Sequence, residues 1–239
     1  MSRTARSLRA LGVCFGLTLT ALFGSAGLVV GASTTAHRLG VSFLGTPLGQ
    51  ILLSLVLVQG VTFSGLSIVY LSLSDMHWPS VRVPTYRDGA WIIGGVVAMF
   101  AAMWAILWIL RRYDIHSAPN DVSRLGLADP RVFLVLIPAA FLIVGPGEEL
   151  LFRGVIQSRL RESFSSVWAI GIATLLFAGT HALSLVGSIQ ARITTITTLF
   201  VGSLVLGIAY ERTNNLVVSS VIHSCYDALL FGLAYWSVR

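Results

Sequence analysis

From Arg131 to Val155 the chain reads RVFLVLIPAAFLIVGPGEELLFRGV. A helix needs about 20 mainly apolar residues to cross the roughly 30 Å hydrocarbon core of a bilayer, and this run is long enough. Its second half nevertheless holds Glu148, Glu149 and Arg153. A charge near mid-membrane costs about 2.5–3.5 kcal/mol on insertion scales, so these side chains must face a partner or an interior cavity rather than lipid. Pro146 removes a backbone donor and its flanking glycines permit a kink, which would open room around the acidic pair.

The rest of the chain supplies the membrane context. Of 239 residues, 55% are hydrophobic before the 23 glycines are counted, and only 11% are charged. A soluble domain carries about 25% charged residues. This composition excludes a soluble enzyme, a disordered chain and a nucleic-acid binder, and it predicts a polytopic membrane protein. All 16 basic residues are Arg, so Schiff-base chemistry and a P-loop lysine are excluded. The arginines sit mostly between apolar runs, where they orient helices and meet anionic headgroups. Cys14 and Cys225 both fall inside apolar runs and predict neither a disulfide nor a metal cluster.

Seven stretches meet the length requirement: 9–31, 47–73, 89–110, 131–155, 165–185, 193–210 and 215–237. The fold class expected is therefore an all-α transmembrane bundle of about seven helices, six to eight allowing for uncertain ends. Arg3, Arg6 and Arg9 precede the first run, which ends in small residues as a cleaved leader does. Its apolar core exceeds the about 7–15 residues usual for a leader, so a retained helix is expected. Arginines divide almost evenly between alternate connectors, so charge barely favours an inside N-terminus. Residues 1–130 carry no motif. Residues 131–239 are expected to form the functional core, integrated into the same membrane domain, with its motifs within 145–231.

Polar interruptions of the apolar helices fall on three segments. On the fourth, Glu149 and Arg153 are four apart and share a helix face, which pairs them. Glu148 points about 100° away, has no partner on its own helix, and is the carboxylate free to act as a base. On the fifth, Phe177 and His181 share a face, with Gly179 between them for close helix approach. On the seventh, His223 and Asp227 stack four residues apart. His37, His77 and His116 lie in connectors. Each pair alone has an ordinary structural reading: a solvated helix end, a histidine bonded to a nearby carbonyl, a local packing bond. Three such pairs in one apolar chain predict convergence on an interior cavity. A glutamate base, two histidines and an acidic side chain around a water form the equipment of amide hydrolysis.

Glu148-Glu149-Leu150-Leu151-Phe152-Arg153, then Phe177 to His181, then His223 to Asp227, resemble the signature of the CPBP family. This family comprises CAAX proteases and bacteriocin-processing enzymes, is also called Abi, and includes the type II CAAX prenyl endopeptidase. The resemblance covers about residues 131–231. It implies an intramembrane endopeptidase with Glu148 as base on the attacking water and His181 as its helper. By the same carry-over His223 and Asp227 line the oxyanion side, while Glu149, Arg153 and Phe177 support them. Asp227 stands where the CAAX enzymes carry Asn. An ionised Asp cannot donate to an oxyanion, so it would be protonated, orient His223 or bind a metal. No His-Glu-x-x-His zinc motif is present. Metal-free catalysis is the expectation, with Zn2+ on Glu148, His181 and His223 as the alternative. The expected partners are the bilayer and a membrane-associated peptide or protein substrate, in a multi-pass protein of a prokaryotic cell (cytoplasmic) membrane. A non-catalytic regulatory or immunity factor on the same scaffold, and a transporter or proton relay, remain open at this level.

Overall fold

The computed structural model describes residues 2–239, which form helices joined by short connectors. Side-chain caps fix many of the helix starts. Ser2, Thr46, Asn120, Ser188 and Asn215 each accept a backbone N–H from the first turn of the helix that follows. Thr85 and Asp88 do so reciprocally in a capping box. The spanning helices are α1 (Arg3–Arg38), α2 (Pro47–Leu73), α3 (Tyr86–Arg112), α5 (Arg131–Arg161), α6 (Ser166–Ser184), α7 (Ile189–Thr213) and α8 (Leu216–Ser237). A short helix, α4 (Asp121–Ala128), lies in the connector before α5. Seven spans and no strand among the described residues make this an all-α polytopic membrane protein.

Several helices outrun their sequence-derived limits. Helix α1 takes in Arg3, Arg6 and Arg9, which therefore ride on its first turns rather than precede it. Helix α7 continues through Thr213, and the turn into α8 is only Asn214 and Asn215. Asn214 adopts the left-handed conformation (φ 44°) that ends α7. Charged residues near the ends do not shorten a helix whose long arginine stems reach the interface.

Helix α5 is the centre of the bundle. Half of its most apolar window is buried inside the protein, against 11% for α3 and 22% for α1. It packs on α2, α6 and α8. One apolar cluster joins Cys14 and Ala21 of α1, Phe63 of α2, Leu151, Phe152 and Ile156 of α5, and Ala173 and Phe177 of α6. A second joins Met99 of α3, Leu206 of α7 and Ile222 of α8. The outward faces stay apolar: Phe23, Trp104, Trp168 and Trp236 are all exposed, as a lipid-facing surface requires.

The interruption predicted at Pro146 takes a particular form. A short α-helical stretch, Gly145–Glu149, sits between two stretches with i→i+5 hydrogen bonding, Ala140–Val144 and Leu150–Gln157. Such wide turns are rare and concentrate at functional sites. Helix α2 has one of its own, Leu55–Gly65, packed against the acidic turn of α5. The flanking glycines serve close approach. A Cβ on Gly145 would overlap Ser224 Oγ of α8, and one on Gly147 would come within 2.9 Å of Ser64 Oγ and 3.0 Å of the Gln59 carbonyl on α2. Substituting Gly145 with Ala should therefore cost about 1–3 kcal/mol, the usual range for overpacking. Gly179→Ala, whose added carbon meets nothing within 4 Å, should cost nothing. Unfolding in detergent micelles checks both, and equal stability of the two variants would contradict this packing.

Candidate active site

The carboxylates of α5 face in different directions, as their one-residue offset requires. Glu149 is fully buried and Arg153 is 1% exposed. Arg153 Nη1 lies 3.1 Å from Glu149 Oε1, at an angle outside hydrogen-bond geometry. The same guanidinium is anchored on α7, where Nη2 donates to Ser203 Oγ at 2.7 Å and to the Ser203 carbonyl at 3.0 Å. It also lies 5.0 Å from the centre of the Phe177 ring, a cation–π contact from α6. The pair expected from spacing is thus present, and it ties three helices together.

His223 on α8 joins this pair to the other acids. Its Nδ1 meets Glu149 Oε1 at 3.0 Å. Its Nε2 lies 3.4 Å from Asp227 Oδ2 and 3.8 Å from Glu148 Oε2. A good hydrogen bond runs about 2.7–3.2 Å, so Nδ1 is committed and Nε2 is held only loosely. Glu148 is 5% exposed, and its Oε1 accepts from Gln59 Nε2 of α2 at 2.7 Å. Glu148, Glu149, Arg153, His223 and Asp227 therefore share one interior cluster, with the Phe177 ring 6.0 Å from that of His223.

His181 stands apart from that cluster's polar contacts. It closes α6, and its Nδ1 is 3.1 Å from the Phe177 carbonyl. A carbonyl only accepts, so Nδ1 carries the proton and Nε2 presents its lone pair. The ring centre is 5.0 Å from that of Phe177, the ring that also faces Arg153 and His223. Gly179 does not serve the close approach expected of it, because it is exposed and faces open space.

Two polar contributors lie outside the three motifs. Gln59 and Ser203 carry no charge, so a search limited to ionisable residues passes over them. Gln59 nonetheless interrupts the apolar sequence Leu57-Val58-Gln59-Gly60-Val61, and a neutral amide in a spanning helix is itself a signal. Ser203 offers no such signal, since a serine satisfies itself on its own helix.

The zinc alternative would draw on Glu148, His181 and His223. Among the described residues no group of three or more His, Cys, Asp or Glu side chains is disposed to hold a metal ion. Gln59 engages Glu148 Oε1 alone, Oε2 lies 3.8 Å from His223 Nε2, and His181 Nδ1 bonds its own helix.

Residues 130–229 match the family described as Rce1-like, type II CAAX prenyl endopeptidase. Over this segment the chain is similar to the Rce1-like family. The match spans less than half of the chain, yet it contains every motif residue from Glu148 to Asp227. No curated protein and no solved structure matches the chain. The Rce1-like family is one of CAAX-type intramembrane peptidases, which agrees with the integral multi-pass architecture.

Breaking a buried ion pair by removing one partner typically costs about 3–5 kcal/mol, because the survivor is left uncompensated. Arg153→Met should destabilise the protein by that amount. Adding Glu149→Gln to it should recover part of the loss. Denaturant unfolding of the single and double variants checks this, and strictly additive losses would contradict the pairing.

Proposed function

We propose that the protein is an intramembrane endopeptidase that hydrolyses a peptide bond of a membrane-associated protein or peptide, using a water activated by Glu148. The observation that carries this reading is Glu148 itself. It is a buried carboxylate inside the Rce1-like segment, with one oxygen bonded to Gln59 and the other turned toward His223. A general base must sit within reach of its water and be held in orientation, and this carboxylate meets the second condition.

In the proposed reaction, Glu148 Oε2 takes a proton from water as the oxygen attacks the scissile carbonyl carbon. The carbonyl electrons move to its oxygen. His223, protonated on both nitrogens because each faces a carboxylate, donates from its loosely held Nε2–H to that developing oxyanion. As the tetrahedral intermediate collapses, the C–N bond breaks and the proton on Glu148 passes to the leaving nitrogen. The products are a carboxylic acid and an amine, between which the water's second proton passes to give carboxylate and ammonium. Asp227 orients the His223 ring, a role open to an ionised carboxylate, whereas direct donation is not. His181 Nε2, left with its lone pair, accepts from the water or the substrate as it enters. Glu149 and Arg153 fix the position of His223 and take no part in bond making.

A membrane-borne substrate is favoured by an apolar cleft of about 450 Å³ between α2 and α5, walled by Leu55, Val61, Leu142 and Pro146. Leu142 and Val61 are exposed on the lipid face, so the cleft opens sideways beside the acidic turn.

The direct test uses the purified protein in lipid nanodiscs with a farnesylated peptide ending in a CAAX sequence, and the same peptide without the lipid. The expected result is endoproteolytic release of the C-terminal fragment, with turnover unchanged after exhaustive chelation. Turnover lost on chelation and restored by zinc would overturn the metal-free route. No cleavage of either peptide, or of any protein in a comparison of membranes with and without the protein, would overturn the peptidase reading.

A further inference from the structure

We infer that Gln59, on α2 and outside the Rce1-like segment, is a positioning residue that pins one oxygen of Glu148 and leaves the other as the proton acceptor. The inference rests on the proposed role of Glu148 as base. Gln59 Nε2 donates to Glu148 Oε1 at 2.7 Å. An amide NH2 only donates, so Oε1 must offer a lone pair, and taking up the water's proton there would weaken it as an acceptor. That proton goes to Oε2, the oxygen 3.8 Å from His223 Nε2. The amide thus distinguishes two otherwise equivalent oxygens and selects the one that faces His223 and Asp227.

The remaining contacts of Gln59 show that this bond, and not packing, keeps the residue polar. Its own Oε1 is buried and has no hydrogen-bond partner among the described residues. A buried acceptor left unsatisfied costs stability, whereas an apolar side chain of the same shape would not. The surroundings are also built to bring α2 close. Gln59 lies in the wide-turn stretch Leu55–Gly65, where its carbonyl accepts from Ser64 Oγ at 2.9 Å. Both groups meet α5 at Gly147, the residue before Glu148, where a Cβ would come within 3.0 Å of each. The absent side chain at 147 lets the Gln59 backbone approach near enough for a short side chain to reach the base.

Gln59→Met keeps the length and volume of the side chain and removes both amide groups. With the farnesylated CAAX peptide as probe, kcat should fall by about 10- to 100-fold, the scale of a misplaced catalytic group. KM should stay the same, and the variant should remain folded. Wild-type kcat in this variant, or a loss confined to KM or to folding, would overturn the inference. A second measurement does not depend on turnover. The unfolding temperatures of Gln59→Met, Glu148→Met and the double variant should be non-additive, because the pair shares one bond, and additive shifts would overturn the inference. If the wild-type protein cleaves no peptide, the proposed function fails, while the thermal cycle still decides whether Gln59 holds Glu148.

Discussion

The structure depends on the satisfaction of Arg153 within an apolar interior. A guanidinium that is 1% exposed has no water to fall back on, so its charge must be met by protein groups. Glu149 supplies charge from the same helix, Ser203 supplies two oxygens from α7, and Phe177 supplies a ring face from α6. His223 of α8 then bonds the same Glu149 oxygen that faces the arginine. Four helices are thus held in register by one charge. The residues they carry into that register are the ones proposed to act on a substrate.

This arrangement separates tasks between two adjacent acids. Glu149 is spent on Arg153 and His223 and lies fully inside the protein. Glu148 is turned out of that network by the helical offset, and its one hydrogen-bond donor among the described residues comes from α2. Burying a charge pair rarely stabilises a fold more than apolar packing would. The pair here is better understood as fixing His223 beside Glu148, which needs a partner that will not drift.

Much of this was legible in the sequence, and the limits follow from geometry. Long apolar runs revealed the seven spans, because hydrocarbon thickness sets their length. Spacing of four revealed Glu149 with Arg153 and His223 with Asp227, because such residues share a helix face. Contacts between helices were another matter. Glu149 and His223 are 74 positions apart, and Gln59 and Glu148 are 89 apart. No local period encodes which faces meet. The wide turns in α2 and α5 were also hidden, since they arise from how the helices pack around the acidic turn. Gly179 lies between Phe177 and His181, where a close contact is expected, yet it faces open space, and His181 bonds its own helix rather than the acids.

The account turns on Glu148 as the group that takes the proton from water. The measurement that tests it most directly is single-turnover cleavage of one farnesylated CAAX peptide by wild-type protein and by Glu148→Gln, both in nanodiscs and both checked for folding. Glutamine keeps the shape and the acceptor for Gln59 but cannot hold a proton. The account predicts that cleavage falls by at least about 100-fold, within the range general bases contribute, with peptide binding intact. Cleavage at the wild-type rate by a folded Glu148→Gln protein would contradict it.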